Sequence, residues 1–199
     1  MNFQYFLLFF SLMFPLVSSP GPANIVFAMS GMQQGVKKSI PLILGVDLVF
    51  ILCSLIIGFG LGEALKRYPD VVTVLQLLGA LYIIYLSYKF IQPVKKTQQK
   101  QQKHYTFIDG VVLQMLNPKG WTILFLMFSV LLDSSFDKNM QITYLVIMLA
   151  VLNISTHFIW VAAGSVISKL TQDPIIEKSL NYFFSILLAL VAVWLLLSL

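Results

Sequence analysis

The chain has 199 residues, 58% of them hydrophobic and only 11% charged, with a mean hydropathy of +0.87, where a soluble domain is about half apolar and roughly a quarter charged. That composition excludes an ordinary soluble fold, and at about 20 apolar residues per crossing it leaves room for roughly six membrane-spanning helices and short connections. The formal net charge of +5 does not signal a nucleic-acid surface, because the lysines sit between apolar runs, and the single cysteine, Cys53, excludes both an internal disulfide and a dithiol shuttle.

In chain order, Phe3 to Val17 is the first apolar stretch. Val17-Ser18-Ser19 looks like a signal-peptide cleavage site, but no Lys or Arg precedes the apolar run and Pro20 would follow the cut, so residues 1–19 are expected to stay in the mature protein. The stretch ends at Ser18-Ser19-Pro20-Gly21-Pro22, and a second apolar piece runs from Ala23 to Met32. Two prolines and a glycine cannot continue an ordinary helix. Ser39 to Leu61 is a second crossing, closed by a charged connection with Glu63, Lys66, Arg67 and Asp70, and Val71 to Ile91 is a third.

Residues 92–104 (QPVKKTQQKQQKH) are polar and basic without apolar period, as in a solvated loop. Phe107 to Leu132 is a fourth apolar segment, interrupted at Asn117-Pro118-Lys119-Gly120; Asp133 to Asn139 is a short polar turn; Ile142 to Ile167 and Ser179 to Leu199 are the fifth and sixth. The expected fold is an all-α integral membrane protein of about six transmembrane helices forming one transporter domain over 1–199. Repeat one is 1–91, the basic loop 92–104, and repeat two 105–199.

Lysines and arginines are retained in cytoplasmic connections. Lys37, Lys38, Lys89, Lys95, Lys96, Lys100, Lys103, Lys169 and Lys178 fall on one side, and only Lys66, Arg67 and Lys138 on the other. The central loop is therefore expected in the cytoplasm and both termini in the periplasm. Three crossings per half is an odd number, so the second half would enter from the opposite side as an inverted repeat. The first helix of each half is broken by proline, and matching breaks in two halves point to a transport site.

A break frees backbone N–H and C=O groups that lipid cannot satisfy, so it survives only inside protein or along a polar cavity. The helix starting after Pro22 carries unpartnered N–H groups and the positive end of its dipole, suited to a substrate carboxylate, with Asn24 and Ser19 offering side-chain hydrogen bonds. A proline kink that only shapes packing explains the same residues. Asp47 and Lys119 are charges deep in apolar segments, each costly alone. They lie at comparable depths, and a mutual pair would offset part of that cost.

Asp47 is read either as half of a structural ion pair or as a proton-coupling or ammonium-binding group, with Lys119 as counter-charge or carboxylate contact. Asn153 and His157 share one face of the fifth segment, with Thr156 beside them and Trp160 further along, a polar stripe that lines a cavity or bonds a neighbour. One His without further ligands is a poor metal site, so no metal is expected. Gly58, Gly60, Gly62, Gly79 and Ala80 suit close helix contact, and Tyr82, Tyr85 and Tyr88 an interfacial aromatic belt.

These elements together resemble the LysE/RhtB family of amino acid exporters. The resemblance runs over nearly the whole chain: Ser19-Pro20-Gly21-Pro22, Gly31 to Gly35, Gly45 with Asp47, residues 78–86 (LGALYIIYL) similar to the family's LGAxYLxYLG, Phe107-x-x-Gly110, and Asn117-Pro118-Lys119. Ser87 replaces a usual glycine, Gln114 stands where asparagine is frequent, and Gly120 where alanine is frequent. The resemblance implies proton-driven efflux of amino acids or related small metabolites across a bacterial inner membrane, with no cofactor beyond the proton gradient, and leaves the substrate open.

Expected partners are a small amino-acid substrate and the lipid bilayer, not nucleic acid, with a homo-oligomer left open. Divalent metal efflux is the alternative, opposed by the lack of paired intramembrane carboxylates or His-rich stretches. A non-transporting membrane subunit would leave the breaks and buried charges unexplained. An enzyme is not expected, since no nucleophile with a base can be assembled.

Overall fold

The computed structural model describes residues 3–61, 104–132, 136–170 and 174–197, together with helical positions at 74, 77–78, 80–81, 83–85 and 87–88. The charged connection at 62–70, most of the third apolar segment, the basic loop up to 103, and residues 133–135 lie outside the described residues. Every described element is a helix: α1 (Phe3–Ser18), α2 (Pro22–Ile56) continued by a π-helical turn at Ile57–Leu61, α3 (Phe107–Met115), α4 (Pro118–Leu131), α5 (Lys138–Leu170) and α6 (Pro174–Leu197).

The apolar periodicity decides how each helix sits. In α1 the residues at i, i+4 and i+8, Phe9, Met13 and Val17, are buried, while Phe6, Phe10 and Phe14 on the other side are exposed. In α2 every residue from Pro22 to Met32 is buried, as a helix apolar on all sides must be. This segment is the centre of the molecule, with the other helices around it. Large apolar side chains such as Leu44, Leu48 and Leu52 face outward from the second part of α2, which suits lipid as the surrounding medium.

A straight helix from Pro22 to Ile56 would be over 50 Å long at about 1.5 Å per residue, far more than the ~30 Å hydrocarbon core. It is divided at Gly35, whose φ of 74° and ψ of 173° are non-helical. The hydroxyls of Ser30 and Ser39 are 2.7 Å apart, although nine residues on a continuous helix would separate them by about 13 Å. The chain therefore folds back on itself at Gly35, and α2 is a hairpin of two arms, 22–34 and 36–56.

Gln34 ties this hairpin tip to the start of the second half, its Oε1 accepting the Tyr105 N–H at 3.0 Å. There α3 begins with a capping box: the Asp109 N–H donates to Thr106 Oγ1 and the Thr106 N–H to Asp109 Oδ2, at 3.2 and 2.8 Å. At the other end the Tyr5 hydroxyl donates to the Leu131 carbonyl at 2.8 Å, joining α1 to the end of α4. Ser87 donates to the Ser185 carbonyl at 2.8 Å, setting the third apolar segment beside α6.

Helix association in lipid relies on close packing and hydrogen bonds, because lipid tails are as apolar as leucine. Two reciprocal glycine contacts supply that closeness. A Cβ on Gly31 would collide with the Val161 carbonyl of α5, and one on Gly164 with the Ala28 carbonyl. Likewise a Cβ on Gly45 would meet the Phe107 carbonyl of α3, and one on Gly110 the Leu42 carbonyl. Each arm of the hairpin is thus pressed backbone to backbone against one helix of the second half. Gly58 packs against the side chains of Phe128 and Ile142, as its small size led us to expect.

Candidate functional site

Both proline breaks are present. Helix α1 stops at Ser18 and α2 starts at Pro22 with extended backbone at Gly21 (φ −152°, ψ 174°). Helix α3 stops at Met115 and α4 starts at Pro118, the two inclined by 60°. Each start has proline in the first helical turn, where its missing N–H costs nothing and its fixed φ favours the helix.

The carbonyls freed at the breaks find partners within the protein. The Asn24 amide donates to the Val17 and Ser19 carbonyls at 2.8 and 2.9 Å, and Lys119 Nζ donates to the Ser19 carbonyl at 2.6 Å. On the other side Trp121 Nε1 donates to the Met115 carbonyl at 3.0 Å. The stem of Lys119 crosses Gly21 so closely that a Cβ there would stand 2.6 Å from Lys119 Cδ. Glycine at that position is what lets the second break reach the first.

The breaks meet at a polar cavity of about 20 Å³, lined by Gly21 and Asn24 from the first, Gln114, Asn117, Lys119 and Gly120 from the second, and Asn153 and His157 from α5, over an apolar floor that includes Val17, Phe50 and Ile123. Two helix starts, Pro22 and Pro118, open on it. Asn117 is buried and its Oδ1 has no hydrogen-bond partner among the described residues.

Asp47 and Lys119 do not pair. Asp47 Oδ1 lies 2.9 Å from His157 Nδ1, both side chains are 6% exposed, and the contact is too far out of line to count as a formed hydrogen bond, so among the described residues both Asp47 oxygens and His157 Nδ1 lack one. The reason is azimuth. Asp47 is on the second arm of the hairpin, the one packed on α3, and its side chain is directed at His157 of α5, whereas Lys119 is in the first turn of α4, at the tip of the other break. The His157 ring also packs against Phe27, tilted by 38° with centroids 4.3 Å apart.

Of the residues singled out from sequence, Gly21, Asn24, Asn117, Lys119, Asn153 and His157 line the cavity. Ser19 and the three prolines do not; the Ser19 hydroxyl is turned back onto the Leu16 carbonyl at 2.9 Å, so it offers its main chain to the site and not its side chain. Asp47 stands behind His157. Sequence reasoning missed Gln114 and Gly120 as lining residues. The signal that would have found them is their position on either side of the second break, where a sharp bend turns residues three before and three after Asn117 toward each other.

Residues 14–199 match the family described as LysE type translocator. The chain is 26% identical over 181 residues to the cysteine/O-acetylserine efflux protein of Escherichia coli K12, covering 88% of this chain and 89% of that protein, and it shows the same likeness to the proteins of that name from Shigella flexneri and Shigella sonnei. No solved structure matches.

Proposed function

Since the chain belongs to the LysE type translocator family and is therefore a membrane transporter and not an enzyme, we propose that it is a proton-coupled secondary exporter of amino acids or related small metabolites across the bacterial inner membrane. The observation that carries this reading is the meeting of the two helix breaks at one polar cavity, where Lys119 of the second break donates to the Ser19 carbonyl of the first at 2.6 Å. Broken helices converging on a buried polar site fit substrate binding by alternating access. The efflux proteins of similar sequence carry, by name, cysteine and O-acetylserine, small zwitterions of the size and polarity this site would take.

In this reading the substrate carboxylate binds Lys119 and the N–H groups at the helix starts, taking over the hydrogen bond that Lys119 donates to the Ser19 carbonyl. The free Asn117 Oδ1 accepts from the substrate ammonium. The buried Asp47–His157 pair, with no hydrogen-bonded partner to fix its charge, carries the coupling proton. Two inverted halves, 1–91 and 105–199, rock around the site, with the basic loop 92–104 in the cytoplasm and both termini in the periplasm.

The test is export of radiolabelled amino acids from right-side-out vesicles across a panel of side chains, with and without a proton gradient. Asp47→Asn is expected to lower gradient-driven export at least tenfold at equal amounts of protein in the membrane. Full activity of that variant would refute the coupling role, and failure to move any member of the panel in either direction would refute export.

A further inference from the structure

We propose that Gln114 and Gly120 act together as the gauge that selects substrate side chains, and that the site accepts short, uncharged polar side chains and rejects cationic ones. This rests on the export reading above.

The charge of the lining makes half of the case. Among the described residues its polar side chains are neutral amides, one histidine and a single cation, Lys119, with no carboxylate, since Asp47 stands behind His157. A zwitterion brings no net charge to such a site. A substrate with a second cation on its side chain brings a charge of the same sign as Lys119 into surroundings with little water to screen it, and finds no acid to meet it. The site thus discriminates by an unpaired like charge as well as by contacts.

The geometry of the second break makes the other half. Gln114 is only 5% exposed, one turn before the break, and its side-chain amide makes no hydrogen bond to the described residues. The amide lies in the cavity wall and is free to bond what enters there. A Cβ on Gly120 would collide with its Nε2, so the Gln114 amide occupies the space that any side chain at 120 would fill. Length at 114 and bulk at 120 therefore trade against each other, and the pair fixes how far the amide reaches toward the substrate. A hydroxyl, thiol or ester oxygen on a short side chain is the group that amide can bind.

The experiment is exchange of radiolabelled serine, threonine, methionine and lysine by the full chain reconstituted in liposomes, for wild type, Gln114→Asn, Gly120→Ala and the double variant. Wild type is expected to exchange serine well, methionine less and lysine at least tenfold less. Gln114→Asn, which shortens the amide, should raise methionine relative to serine. Gly120→Ala, which drives the amide into the cavity, should lower threonine relative to serine by about tenfold, the scale of one methyl group in a tight pocket. The double variant should return toward the wild-type profile.

Serine exchange with unchanged ratios in the variants, or lysine moved as well as serine, overturns this proposal and leaves export standing. Wild type moving none of the four overturns the export reading and this one with it. If Gly120→Ala does not accumulate, Gln114→Asn decides alone, because a shortened side chain introduces no clash.

Discussion

Gly31 and Gly35 lie four residues apart in α2 and constrain the chain by different physics. At Gly31 the limit is space: a methyl group would meet the Val161 carbonyl, with Val161 C at 2.8 Å and the Ser165 nitrogen at 3.0 Å. Those are backbone atoms, so the two helices would have to part. At Gly35 there is nothing within 4 Å of the added carbon, yet φ is 74° and ψ 173°, a region open essentially to glycine alone. Gly31→Ala should therefore destabilise the protein by about 1–3 kcal/mol through overpacking, and Gly35→Ala by a similar ~1–3 kcal/mol through backbone strain. Thermal melting of the detergent-purified variants checks both. A Gly35→Ala protein melting with wild type would mean the hairpin does not turn there, and a tolerated Gly31→Ala would mean the α2–α5 contact is looser than described.

The breaks are the elements most legible in the sequence, because proline and glycine act locally: Pro20-Gly21-Pro22 and Asn117-Pro118 interrupt their helices, although the isolated Pro15 and Pro41 are carried inside α1 and α2. Hydrogen bonding around the breaks was less legible. Asn24 was expected to offer its amide to a substrate, but it is seven and five residues from the carbonyls it binds, Val17 and Ser19, and only the angle between α1 and α2 brings them within reach. The Asp47–Lys119 expectation failed for a related reason. Hydropathy gives a residue's depth in a bundle and says nothing of its direction around the helix axis. The reciprocal contacts Gly31–Gly164 and Gly45–Gly110 were hidden likewise, because a glycine shows its partner only once two helices cross. If Asn24 holds the first break together, Asn24→Leu takes the side-chain donor from the Val17 carbonyl and leaves the Ser19 carbonyl to Lys119 alone, at a cost of about 1–3 kcal/mol. The expected result is a lower melting temperature together with lost export. Lost export at an unchanged melting temperature would assign Asn24 to the substrate instead.

For the whole molecule, composition made the membrane setting and the helical class readable from the start, since no packing arrangement hides so much apolar surface from water. What composition does not carry is the state of the site. A cavity of about 20 Å³ has room for a water molecule or two, not for an amino acid, and Lys119 is engaged with the Ser19 carbonyl. The cavity is thus too small for an amino acid, and the proposed export requires the two breaks to separate. Val17, 3% exposed on the cavity floor, reports on that motion. In a Cys53→Ser background, which removes the only native thiol, Val17→Cys should react slowly with a membrane-impermeant thiol reagent. Addition of an exported amino acid should accelerate the labelling several-fold, because substrate binding shifts the population toward forms in which the cavity opens to one side. Adding Asn to position 47 should abolish any acceleration produced by a proton gradient alone while sparing the part produced by substrate. A labelling rate indifferent to substrate in vesicles that still export would mean the cargo moves by another route, and the meeting of the two breaks would then be a structural joint.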